Sequence, residues 1–158
     1  MSSPENYVFD ASNLGNYPPG VSAWAALQIP MRQQTFTNLA ASDDDAIKTS
    51  IASSTSTVTY SGAALNGAIG SGAISPPRNI LITTAGGTPA DAPATATITG
   101  LAIDGSAQTE TINVAQTATT AAGVKAFASV SSIALSAGDG TDATLKFGTG
   151  NVVGLDSK

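Results

Sequence analysis

The stretch PATATITGLAIDGSAQTETINVAQ, Pro93 to Gln116, alternates apolar and polar residues on both sides of Asp104-Gly105. A period of two is the period of a β-strand, so neither half can present an apolar stripe as a helix. On the first half, Ala94, Ala96, Ile98 and Ala102 share one face, and Thr95, Thr97, Thr99, then Leu101 and Ile103, share the other. On the second half, Ile112 and Val114 oppose Thr109, Thr111 and Asn113. Asp-Gly at the tip predicts a tight type I′ turn, in which both central residues take positive φ. The result is a hairpin of Ala, Thr, Ile and Val with almost no charge.

The same signals recur along the chain. STSTVTY alternates, RNILITT carries the apolar run Ile80 to Ile82, and GVKAFASVSSIALS predicts one or two strands. ATLKFG sets Ala143, Leu145 and Phe147 against Thr144 and Lys146, and NVVGL follows. LNGAIGSGAISPP reads as a loop and AGDGTDA as a turn. Strands at this spacing predict an all-β fold over about Ser53 to Leu155, an antiparallel β-sandwich or small barrel, Ig-like or jelly-roll-like. SDDDAIKTSIA, Ser42 to Ala52, admits two readings. One is a short helix N-capped by Ser42, with Asp45 three residues on and acidic groups at the positive end of the dipole. The other is a solvated turn entering a strand.

Residues 1–41 differ from the remainder. They hold Trp24, the only Trp, with Tyr7, Tyr17 and both Met residues, and Pro18, Pro19 and Pro30 break any regular element. Val8, Phe9, Leu14, Trp24, Leu27 and Ile29 follow no period, yet are too apolar for a free tail. The segment is expected to be an extended N-terminal arm on a surface, its own or a neighbour's, ahead of a β-domain over 42–158. Tyr17, Trp24, Leu27 and Ile29 are the expected partner contacts. Arg78 is either a further contact, paired with a partner's carboxylate, or a solvated lone cation.

Composition narrows the chemistry. With no His and no Cys in 158 residues, Ser-His, Cys-His and His-metal arrangements are excluded. Paired carboxylates remain, Asp43, Asp44 and Asp45, or Asp139 with Asp142. A helix cap or solvent accounts for the first group and a turn for the second, since a calcium loop needs more oxygens at another spacing. The Gly-rich loop lacks the Lys-Ser/Thr ending of a phosphate loop. No catalytic role, cofactor or metal is expected. Net charge is −5 and the six cations are scattered, which argues against nucleic acid and against a basic membrane-binding face. No apolar run approaches the ~20 residues of a membrane helix. The opening MSSPENYVFD carries no basic n-region or apolar h-region, so cytoplasmic synthesis is expected. Only 11% of residues are charged, against roughly a quarter in ordinary soluble domains, as expected of a protein whose surface is largely covered in use.

Several residues mark a resemblance: Pro77-Arg78-Asn79 leading into a strand, Ile103-Asp104-Gly105, Thr109-Glu110-Thr111-Ile112, Lys125-Ala126-Phe127, Gly138-Asp139-Gly140-Thr141, and Phe147-Gly148 with Gly150. The run Ile74 to Leu155, about half the chain, resembles small structural proteins from the head-gene regions of tailed bacteriophages, and looks like a capsid decoration, or cement, protein. The resemblance implies a β-rich protein that binds the outside of the shell through the major capsid protein, pairs with itself as a homotrimer, and assembles onto virions in the host cytoplasm. It does not cover the residues before Ser42. The competing readings are a tail-tube or baseplate component, and a carbohydrate-binding module on a virion fibre using Trp24, Tyr17 and Tyr60.

Overall fold

The computed structural model describes residues 40–116 and 119–155. Tyr17, Trp24, Leu27 and Ile29, and nearly all of the expected arm, lie outside the described residues. Seven strands follow one another: β1 (Asp43–Ala52), β2 (Val58–Ser61), β3 (Ala73–Ala85), β4 (Thr95–Leu101), β5 (Ala107–Asn113), β6 (Thr120–Leu135) and β7 (Thr144–Val153). Two short 3-10 turns, Gly62–Ala64 and Pro89–Asp91, are the helical content of the described residues. The fold is all-β. All seven strands belong to one sheet in the order β1-β7-β3-β6-β4-β5, with β2 also on β6, and every pairing is antiparallel.

The sixteen residues of β6 organise the sheet. A strand has two edges. Ser132–Leu135 pairs with β2 on one and with β4 on the other. The register Ala73↔Ser129 and Leu101↔Ser129 sets β3 and β4 on opposite edges too. So β2 and β3 share one edge in succession, while β4 takes only the last seven residues of the other. The two halves of β6 thereby join two groups of strands around one core. Ile80, Ile82, Ile98, Phe127, Val130, Ile133, Leu145 and Phe147 meet in it.

Alternation holds where it was clearest. Ala96 and Ile98 on β4, Ile112 on β5, and Ala143, Leu145 and Phe147 at β7 are buried, while the threonines between them face outward. Thr97 and Thr111, directly opposite on β4 and β5, share a hydroxyl hydrogen bond of 3.1 Å on that outer face. The tip differs from the type I′ expectation. Gly105 N–H donates to Ala102 C=O and Ala102 N–H to Ser106 C=O, so the loop has three residues, Ile103 to Gly105. Gly105, at φ +79°, takes the left-handed position that closes it. Asp104 Oδ1 accepts from Ser106 N–H and Oγ, a local bond that favours this turn over a two-residue one.

Ser42 to Ala52 forms no helix. Asp43–Ala52 is the end strand β1, paired with β7. The capping signal yields because tertiary pairing overrides it. Two register shifts along the β1–β7 ladder break the period, which hid the strand from an alternation test. The strands therefore begin ten residues ahead of Ser53. Pro76 and Pro77, expected in a loop, lie inside β3. Between Ala73↔Ser129 and Arg78↔Phe127, five residues of β3 advance against two of β6. The prolines occupy that bulge, where no ladder bond needs their missing N–H.

Phe127 is fully buried at the centre of this core. Phe127→Ala should lower unfolding stability by about 3–5 kcal/mol, read as a shift of the urea midpoint at constant slope.

Candidate interaction surface

The two end strands, β1 and β5, are treated differently. On β1, the loop after the Gly62–Ala64 turn closes over the backbone. Gly67 N–H donates to Ile47 C=O at 3.0 Å, and Ile69 and Gly70 N–H donate to Ala46 C=O at 2.7 and 3.0 Å. Asn66 Oδ1 accepts from Lys48 Nζ and Thr49 Oγ1, each at 3.0 Å. The Lys48 ammonium also stands 5.1 Å from the centre of the Tyr60 ring. The Gly-rich stretch is thus a cover for an end strand, and Tyr60 packs over Lys48.

β5 is open. Val114 N–H donates to Ala94 C=O and Ala102 N–H to Ser106 C=O, which sets the phase of the ladder. Even-numbered residues of β5 bond β4, and Ala107, Thr109, Thr111 and Asn113 turn their N–H and C=O groups away from it. Their side chains are exposed and uncharged. The register with β4 runs through seven consecutive pairs without a bulge. One guard stands on this edge: Lys125 Nζ donates to Thr109 C=O at 2.8 Å.

The inner face of β5 serves β6. Residues 120–128 of β6 lie beyond the reach of β4, and side chains stand in for the missing strand. Glu110 is buried, and its carboxylate accepts from Val124 N–H at 2.7 Å and from Lys125 N–H at 3.3 Å. Gln108 Nε2 donates to Ala126 C=O at 2.9 Å. Gly123 makes the approach possible, because a Cβ there would collide with the Glu110 carboxylate. Beside these bonds, Val124 is 82% exposed. Thr109 to Ile112 and Lys125 to Phe127, two stretches that marked the resemblance, come together at this point.

Arg78 is not a solvated cation. It is 5% exposed. Its guanidinium donates to three carbonyls of its own chain: Ala40 at 2.5 Å, Ala41 at 3.3 Å and Gly150 at 3.3 Å. Asn79, also buried, spans its two neighbouring strands: Nδ2 donates to Gly123 C=O on β6 at 2.9 Å, and Oδ1 accepts from Val152 N–H on β7 at 3.0 Å. Both ladders slip at this point, so the side-chain amide replaces the backbone bonds that the slips remove.

Asp43, Asp44 and Asp45 bring carboxylate oxygens within 4.8 Å of one another. Lys146 answers them, at 3.4 Å from Asp44 and 3.8 Å from Asp45. These groups are solvent-exposed, so the pairs contribute at most about 1 kcal/mol. Asp43 and Asp44 rim an open hollow with Ala41, Ser42, Leu81, Thr83 and Thr120. Asp139 and Asp142 sit exposed in the turn before β7. Sequence reasoning missed Glu110, Asn79 and Lys48 as organising groups. A signal existed for Glu110: a lone carboxylate at an inward position of an otherwise apolar face must find donors. The chain matches no family model, no curated protein and no solved structure.

Glu110→Ala strips the acceptors from two backbone N–H groups of β6. We expect a loss of about 1.5–3 kcal/mol in stability. Hydrogen exchange should accelerate first at the Val124 and Lys125 amides, and an unchanged pattern there would show that the carboxylate carries no load.

Proposed function

We propose that this chain is a virion structural protein of a tailed bacteriophage, a capsid decoration or cement protein that binds the outside of the shell and stabilises contacts between major capsid subunits. The observation that carries this reading is the β5 edge: seven regular residues, uncharged outward side chains, and outward backbone groups that face no further strand among the described residues, with Thr109 C=O held by Lys125, the form of a surface used for strand pairing. The resemblance of Ile74 to Leu155 names the partner class, the major capsid protein, with further copies of the chain as a homotrimer. The low charge of the whole chain fits a surface covered in use. The role is mechanical. Each contact is modest, but an oligomer on a symmetric lattice engages several at once, and linked contacts multiply.

Apolar burial and backbone pairing dominate such an attachment because few charges are present. At roughly 25 cal/mol per Å² a modest apolar patch contributes several kcal/mol before ordering costs. The protein should therefore co-sediment with capsids at a fixed ratio to the major shell protein. It should stay bound as salt rises, and decorated shells should survive higher temperatures than bare ones. Release at moderate salt, or equal heat resistance, contradicts the clamping role. Hexameric rings in electron micrographs would point to a tail tube instead.

A second expectation concerns residues 1–41. Deleting residues 2–36 should leave a folded β-domain that binds capsids poorly. Full occupancy by the truncated protein would remove that segment from the reading.

A further inference from the structure

Arg78 combines three features that packing alone does not call for. Its guanidinium is buried inside β3, so it has lost its hydration and must find acceptors within the protein. Among the described residues those acceptors are carbonyls and none is a carboxylate. Two of the three belong to Ala40 and Ala41, which are themselves exposed and precede the first strand. Among the described residues, these are the hydrogen bonds that Ala40 and Ala41 make. A buried charge is thus committed to holding a short exposed stretch at the end of the N-terminal segment.

The donor is itself held on both sides. Before it, Pro77 C=O accepts from Gly154 N–H at 2.9 Å, tying the end of β7 to β3. After it, Asn79 is fixed to β6 and β7. The third carbonyl, Gly150, belongs to β7. A planar guanidinium can bridge consecutive carbonyls and a neighbouring strand at once; an ammonium on a flexible stem cannot hold that fork.

We infer that Arg78 is a positioning residue that fixes the root of the N-terminal segment, residues 1–39, to the β3–β7 pair. A segment delivered from a fixed root reaches a neighbouring shell subunit with less freedom to lose than one on a loose tether, which raises its effective concentration there. This consequence for attachment rests on the decoration reading; the anchor itself does not.

The test uses the full chain and elastase, which cuts after small residues such as Ala. Arg78→Lys keeps the charge and most of the stem, and Arg78→Gln removes the charge; circular dichroism and thermal unfolding report which variants fold. In the wild-type protein, fragments beginning at Ala41 or Ser42 should accumulate at least about tenfold more slowly than in a folded variant, because cleavage tracks the population of the released root. Mass spectrometry of the fragments separates these cuts from those farther upstream. Equal rates in wild type and a folded variant overturn the anchor. So does wild-type cleavage after Ala40 or Ala41 as fast as in urea, a result that needs no variant. Capsid co-sedimentation of the same variants separates the two layers. Lost protection with full attachment keeps the anchor and removes the segment from the functional reading. Unchanged protection with lost attachment overturns the anchor and leaves that reading standing.

Discussion

The sheet depends on one backbone requirement: both edges of β6 must be paired along sixteen residues, by strands too short or too displaced to do it alone. β2 and β3 divide one edge between them, and β4 covers only the end of the other. Within the remainder, Val124 to Ala126 are paired by side chains. Glu110 and Gln108 on β5 supply an acceptor and a donor in the positions a strand would otherwise fill. Asn79 does the same inside the ladder, facing β6 with its amide nitrogen and β7 with its oxygen. No buried side-chain polar atom among the described residues lacks a partner, which is the condition for such substitutions to stabilise rather than cost.

Such replacements require space that only small residues leave. Gly123 admits the Glu110 carboxylate. The composition that first suggested tight sheets, rich in Ala, Thr, Ser and Gly, acts here as a supply of clearance. The few large side chains are correspondingly central: Phe127 and Phe147 are fully buried.

Legibility followed the regularity of the ladder. Ala96 to Thr99 pairs on both sides without a shift, and its alternation divides the buried residues from the outward ones. Leu145 and Phe147 were equally clear. β1 was not, because two register shifts let Ala46, Ile47 and Lys48 be buried in succession, a pattern that matches neither a strand nor a helix. The prolines of β3 misled for a related reason: they mark a bulge that depends on the partner strand. The hairpin tip was placed correctly at Asp104-Gly105 but given the wrong loop length, since the Asp104 to Ser106 bond decides between turns that share the same dipeptide. The interaction surface was legible only in outline. Low charge pointed to contacts, whereas the burial of Arg78 and the openness of β5 depend on residues tens of positions away.

The strand order carries a consequence for synthesis. Of the described strands β1 is the first made, yet its ladder partner is β7, the last of them, and β7 sits between β1 and β3. On a growing chain the hairpin β4–β5 and its ladder to β6 can close early, because their partners are neighbours in sequence. β1 must wait nearly a hundred residues, with its apolar Ile47 and Ile51 uncovered, until β7 is inserted between two strands that are already present. Loop closure over that distance is slow relative to hairpin formation. The described sheet is thus completed from its middle, and β1 and β7 are secured together, in one late step.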